Sequence, residues 1–267
     1  MGGLAGVADG SQSDIVVWLA GPGARTLFTP EEQTAADLAR WREITTPRRR
    51  EEWEVSRALL AHARSRVTTS RQSQPTSIVD QSVSTPAGSE PSLDSYRVPA
   101  SNAANIPILS LSHSGGHAAV AASRTAVRIG VDLEHARPRD GERLARFAFS
   151  SREREQLEAL PPEARAERFY ILWTLKESFA KALSLSLFAS LSRCTFVEER
   201  GQWRGTVPTD SAWIAQSFRP SPTLVLSVVA LLPNDVMPVN FSVSTQEWPD
   251  ASSQEWRTLA TLHSASV

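Results

Sequence analysis

Arg128-Ile129-Gly130-Val131-Asp132-Leu133-Glu134 reads as a β-strand, and its alternation sorts the side chains onto two faces. Successive residues of a strand point to opposite sides, so Asp132 and Glu134 project together while Val131 and Leu133 face the other way. Two neighbouring carboxylates raise each other's pKa unless a cation lies between them. A hard divalent ion such as Mg²⁺ suits the pair, because it prefers carboxylate oxygens, keeps several waters and takes further ligands from phosphates. The alternative is a strand end emerging into solvent with both acids hydrated.

Strands and helices are arranged in similar order on either side of this stretch. Upstream, Asp14 to Ala20 reads as a buried strand, followed by a Gly-Pro-Gly turn at 21–23. Thr29-Pro30-Glu31-Glu32 has the cap, proline and acids of a helix start, and that helix is expected to run to about Ile44. A second helix opens at Thr46-Pro47 and carries Arg48, Arg49 and Arg50. From Thr68 to Ala104 the chain is dense in Ser, Thr, Pro and Gln and reads as a flexible insertion. Strands follow at Ile106 to Ser114 and His117 to Ser123, with Gly115-Gly116 as the turn between them. Downstream of the acidic strand come an arginine-rich helical region from Gly141 and a serine-capped helix start at Ser150. A long helix from Glu163 to about Leu183 is next, then strands at Phe196 to Glu199, Trp213 to Phe218 and Thr223 to Leu232. The expectation is an α+β protein of two similar halves, 1–125 and 126–235, with a polar peripheral tail at 236–267.

The long helix holds the second informative segment, Trp173-Thr174-Leu175-Lys176-Glu177-Ser178-Phe179-Ala180-Lys181. Helical spacing puts Thr174, Glu177 and Lys181 on one face. Glu177 is thereby available to a cluster with the strand carboxylates. It can equally form a surface pair with Lys181 that stabilises the helix by about 0.3–0.5 kcal/mol. Of the 28 Lys and Arg residues, Lys176 and Lys181 are the two lysines, and the other 26 are arginine. Arginine is a permanently charged planar fork, whereas lysine is a compact charge able to release its proton. A position that needs either property resists this bias, and two ordinary helix lysines remain the alternative.

Composition limits the classes open to the chain. A hydrophobic content of 41% and a charged content of 21% over 267 residues fit a globular protein with ample core. A net charge of −1 gives no global basic field for nucleic acid. No run approaches the roughly 20 apolar residues of a membrane helix. The N-terminus lacks the basic and apolar regions of a secretory leader. With Cys194 as its one cysteine, the chain is expected to be cytoplasmic. The Leu111-Ser112-His113-Ser114 segment before Gly115-Gly116 offers small hydroxyls, a ring nitrogen and backbone N–H groups to an anion.

Taken together, Leu111 to Ser114, Ile129 to Glu134 and Trp173 to Lys181 resemble the Sfp-type 4′-phosphopantetheinyl transferases. That family shows a Ser-His-Ser segment, an Ile/Val-Gly-Val/Ile-Asp-x-Glu strand and a Trp-x-x-Lys-Glu-x-x-x-Lys helix in this order. The resemblance runs from about Leu109 to Leu185 and includes Phe147-Ala148-Phe149-Ser150. It implies a pseudo-dimer of two α+β halves, working as a monomer, with coenzyme A in the cleft between them. It also implies Mg²⁺-dependent transfer of 4′-phosphopantetheine to a serine of an acyl or peptidyl carrier protein, releasing 3′,5′-ADP. By the same resemblance Asp132, Glu134 and Glu177 hold the metal, and Glu177 helps take the serine proton. Lys181 contacts the pyrophosphate and protonates the departing oxygen, and Ser112 and His113 touch the 3′-phosphate. Arg49, Arg50 and Arg57 lie where the family places its basic helix, although an arginine triplet is also a common solvated helix start.

Two departures stand against the pattern. The family's Gly-Lys-Pro segment before Ser-His-Ser is absent from the sequence, and no glycine follows Lys181 where the family carries a Gly-x-Gly-Leu turn. They leave open a catalytically silent homologue that binds coenzyme A or a carrier protein. A nucleotide hydrolase using the same acids has less support, because no Gly-x-x-x-x-Gly-Lys loop is present.

Overall fold

The computed structural model describes residues 14–69, 79–80, 107–137, 141–233, 242–249 and 255–264. Alternation along the strands decides the layering. In β1 (Ile15–Ala20), Ile15, Val17 and Leu19 enter one buried cluster, while Trp18 and Ala20 enter another on the opposite face. Two 3-10 turns, Pro22–Leu27 and Pro30–Glu32, come next. The helix expected from Thr29 to Ile44 is therefore split. Gln33 is extended, and Thr34 rather than Thr29 caps α1 (Ala35–Glu43) by accepting the Asp37 N–H at 3.1 Å. α2 (Pro47–Thr69) then lays Val55, Leu59 and Ala63 against the Trp18 side of the sheet.

The first sheet has the order β10 (Val243–Trp248), β1, β4 (His117–Ser123), β3 (Ile108–Ser114), β2 (Val79–Asp80). Its β3 (Ile108–Ser114) and β4 (His117–Ser123) form a hairpin around Gly115 and Gly116, at φ +61° and +82°. Left-handed backbone at both central residues matches the twist of the flanking strands, and glycine adopts it without steric cost. The expected insertion at 68–104 lies mostly outside the described residues. Within it, β2 (Val79–Asp80) pairs parallel with the start of β3.

Next comes β5 (Arg128–His135), which joins a sheet of order β11 (Arg257–His263), β8 (Trp213–Ser221), β9 (Leu224–Leu231), β5. Between β5 and the other three strands come α3 (Gly141–Ala148), α4 (Ser151–Glu158), α5 (Pro162–Leu183) and α6 (Leu187–Arg193). A ribbon of β6 (Thr195–Glu199) and β7 (Gln202–Thr206) follows, then β8 (Trp213–Ser221) and β9 (Leu224–Leu231). Ile129, Val131 and Leu133 of β5 meet Leu226, Val228 and Ala230 of β9 and Val17 and Leu19 of β1 in one core. The two sheets therefore pack on each other. α2 covers the outer face of the first, and α5 covers the outer face of the second. The result is an α+β protein in four layers.

The tail read as peripheral is instead structural. β10 (Val243–Trp248) runs parallel to β1, and β11 (Arg257–His263) pairs antiparallel with β8, so the C-terminal segment completes both sheets. Both are edge strands, and their polar, half-exposed residues conceal the alternation that marks a buried strand.

Candidate active site

The site grows from the free edge of β5. Among the described residues β5 pairs in the second sheet only with β9, so its other row of N–H groups needs acceptors. β3 supplies them with side chains. Every second residue is serine, and the hydroxyls of Ser110, Ser112 and Ser114 accept the N–H groups of Val131, Leu133 and His135 at 3.1, 3.2 and 3.1 Å. Two of these hydroxyls also donate: Ser112 to Asp132 Oδ1 at 2.9 Å, and Ser114 to Glu134 Oε2 at 3.0 Å. One serine ladder thus joins the sheets and aims both carboxylates. Ser112→Ala leaves the buried Leu133 N–H unmatched and releases Asp132. It is expected to cost about 1–3 kcal/mol in chemical denaturation, and a loss below about 0.5 kcal/mol would count against the ladder.

The acidic face of β5 looks at α5. Thr174 and Ser178 fasten that helix to β9, through Ser227 Oγ at 2.6 Å and the Ser227 carbonyl at 2.9 Å. This seating brings ligand oxygens of Asp132, Glu134 and Glu177 within 4.8 Å of one another. Lys181, one turn beyond Glu177, donates to the Val131 carbonyl at 2.7 Å and to Asp132 Oδ1 at 2.9 Å. Burial pushes the Glu177 carboxyl up from 4.5 to about 7, and Asp132 and Glu134 add to the rise. Lys181 opposes it. So does the Trp173 indole, although its N–H makes no hydrogen bond of normal geometry among the described residues.

The donor set fits a divalent cation. Asp132 is buried and its Oδ1 is saturated, yet its Oδ2 is inaccessible to solvent and has no partner among the described residues. An orphaned buried carboxylate oxygen costs free energy unless something binds it. Three convergent carboxylates against the single ammonium of Lys181 leave a local excess of negative charge, the setting a hard cation relieves.

The remaining predicted residues are placed less uniformly. Ser112 is committed to Asp132 and Leu133, so its hydroxyl serves the carboxylates rather than the phosphate expected for it. His113 lies on the opposite face of β3, toward α2. By surface area it is exposed, yet neighbouring atoms desolvate the ring enough to lower its pKa. Glu52 and Asp132 work against that lowering, while Lys181 and Arg57 add to it. Arg49 is exposed. Arg50 donates to the Ile44 carbonyl at 2.8 Å and stacks on Trp41. Arg57 pairs with Asp37 at 3.2 Å and stacks on Trp53. Both therefore brace α1 against α2.

Arg48 faces a different space. With Arg25, Glu51, Glu52, Arg137 and the Gly115-Gly116 turn it lines a cavity of about 320 Å³, and it pairs with Glu52 at 3.3 Å. Arg137 was not singled out from sequence, although its place three residues beyond Glu134 was a usable signal. A larger groove of about 680 Å³ between the β6–β7 ribbon and β11 contains none of the candidate residues.

Residues 128–225, from the start of β5 into β9, match the model of the 4′-phosphopantetheinyl transferase superfamily. The chain is similar to the 4′-phosphopantetheinyl transferase HetI of Nostoc sp., at 43% identity over 76 residues, covering 28% of this chain and 32% of that protein. It is similar also to the 4′-phosphopantetheinyl transferase AcpT of Salmonella typhi, at 42% over 72 residues, covering 27% and 37%. A Synechocystis sp. protein given the same activity provisionally is 38% identical over 88 residues, covering 33% and 35%. The chain thus spans about a third of the length of these curated relatives.

Proposed function

We propose that the protein transfers 4′-phosphopantetheine from coenzyme A to a serine hydroxyl of an acyl or peptidyl carrier protein. The observation that carries this reading is the meeting of Asp132, Glu134, Glu177 and Lys181 inside the segment that matches the transferase family. Asp132, Glu134 and Glu177 would hold Mg²⁺, which when bound supplies positive charge against the pyrophosphate of coenzyme A.

The chain's own groups then divide the work. Glu177, once deprotonated, accepts the proton of the carrier serine as its oxygen bonds to the β-phosphorus. The bond from that phosphorus to the bridging oxygen breaks, and 3′,5′-ADP leaves. Lys181 spends two of its three N–H groups on Val131 and Asp132, and the third is available to the departing oxygen. Arg48 and Arg137, which line the cavity beside the Gly115-Gly116 turn, would receive the nucleotide phosphates, and His113 would add a contact from β3. Arg49 remains exposed and available for the same charge. Among the described residues no helix is long and apolar enough to cross a membrane.

Incubation with coenzyme A, Mg²⁺ and an apo-carrier tests the reaction. The carrier should gain the mass of phosphopantetheine and 3′,5′-ADP should appear. Coenzyme A binding without mass gain would point to a silent binder.

Metal and pH should be linked through Glu177. Its folded pKa is raised, so its stabilising contribution is complete below the ordinary value of 4.5 and lost as pH rises through about 7. Metal-free protein should therefore melt at a lower temperature at pH 8 than at pH 5 as far as this group decides. Mg²⁺ should raise the melting temperature more at pH 8, where it does not compete with a proton. Equal Mg²⁺ effects at the two pH values would argue against Glu177 as a ligand.

A further inference from the structure

Lys176 is fully buried and points away from the carboxylates. Its ammonium meets three acceptors: Glu153 Oε2 at 3.0 Å, the Leu191 carbonyl at 3.1 Å, and the Cys194 carbonyl. Glu153 is fully buried as well. Its Oε1 accepts the Phe196 N–H at 2.8 Å, and its Oε2 accepts the Ser150 N–H at 2.7 Å within the capping box of α4. Ser190 closes the knot by donating to the Lys176 carbonyl at 2.7 Å. A single buried ion pair thus ties α5 to α4, α6 and the start of β6.

This knot gives the lysine its reason. Three N–H groups on a compact tetrahedral nitrogen match three acceptors, whereas a planar guanidinium with five donors does not fit the same shell. A buried ion pair is weak evidence for stability, since apolar replacements of similar volume are often as stable. Position is the better explanation. Lys176 and Glu177 are consecutive, so whatever fixes the rotation of the first fixes the direction of the second. A rotation of about 10° moves an atom about 6 Å from the helix axis by about 1 Å, beyond the tolerance of about 0.5 Å for a functional constellation.

We propose that Lys176 is a positioning residue: its buried pair with Glu153 sets the rotation of the α5 turn that presents Glu177 to Asp132 and Glu134. The proposal rests on the reading of those three carboxylates as the metal site.

The test compares Lys176→Met, Lys176→Arg and Lys176→Met/Glu153→Gln, the last removing the stranded charge. Circular dichroism checks the fold, and Mn²⁺ binding to metal-free protein is followed by electron paramagnetic resonance. Turnover and the KM for coenzyme A are measured with an apo-carrier. The double variant should stay folded, bind Mn²⁺ about 10-fold more weakly and lose about 10-fold or more in kcat, the size seen when groups behind metal ligands are removed. Its KM should change by less than about 3-fold, and Lys176→Arg should not restore activity. Folded variants with Mn²⁺ affinity and kcat within about 2-fold of wild type would overturn the proposal. So would a KM that rises in step with the loss of kcat, the mark of general loosening. If no lysine variant folds, Ser190→Ala decides: Mn²⁺ binding weaker by about 10-fold supports the positioning role and unchanged binding overturns it. Wild-type protein that neither binds Mn²⁺ nor modifies a carrier takes down the transferase reading, and this proposal with it.

Discussion

Glu177→Gln should lower turnover by at least about 100-fold, the lower end of what a positioned general base contributes, while the folded protein gains stability at pH 8 without metal. The two effects share one cause. Glu177 sits where burial and the charges of Asp132 and Glu134 hold its carboxyl near 7. Ionising it in metal-free protein therefore costs stability, and the neutral amide of glutamine avoids that cost at nearly the same shape. The amide is also a poorer cation ligand and no base, so the chemistry should stop. Turnover is read by mass spectrometry of the carrier, and stability by urea denaturation at pH 8 with chelator. Opposite changes identify a group held in a costly state for its reaction. Turnover within about 3-fold of wild type would falsify the assignment of Glu177 to either role.

The parts of this site legible in the sequence are those governed by a local period. Alternation along Arg128 to Glu134 places Asp132 and Glu134 on one face, and helical spacing places Glu177 and Lys181 together, as the structure has them. What no single segment specifies is which outside groups reach each residue. Ser112 stood in a motif that invites an anion, yet the open edge of β5 takes its hydroxyl, because an unmatched buried N–H outweighs a surface contact. Arg50 and Arg57 share a helical face, but α1 packs there with Trp41 and Asp37, while Arg48 turns into the cavity. Tertiary neighbours decide these cases. The same holds for β10 and β11, which are strands only because β1 and β8 offer them edges.

The largest structural effect should come from Gly130→Ala. Gly130 has no left-handed backbone to explain it, since the positive-φ glycines among the described residues are Gly115, Gly116 and Gly201. Its reason is proximity. A Cβ built there would lie 2.8 Å from the Ala182 nitrogen, 3.0 Å from the Ser178 carbonyl carbon, and closer still to the Ser178 oxygen. These are backbone atoms of α5, so no side chain can swing aside and the helix itself must move. Overpacking of this kind costs about 1–3 kcal/mol and sometimes more, and rigid backbone on both sides argues for the upper end. The displaced turn is the one between Glu177 and Lys181, so whatever folded protein remains should have lost the convergence of its carboxylates. The expected result is a melting temperature lower by several degrees and Mn²⁺ binding weakened at least about 10-fold in the folded fraction. Gly23→Ala serves as the control, because a Cβ there meets nothing within 4 Å, and its stability should stay within about 0.5 kcal/mol of wild type. If Gly130→Ala instead melts and binds metal as wild type does, α5 does not rest on β5 as closely as the site requires. The glycine two residues before Asp132 would then owe its presence to something other than the approach of α5.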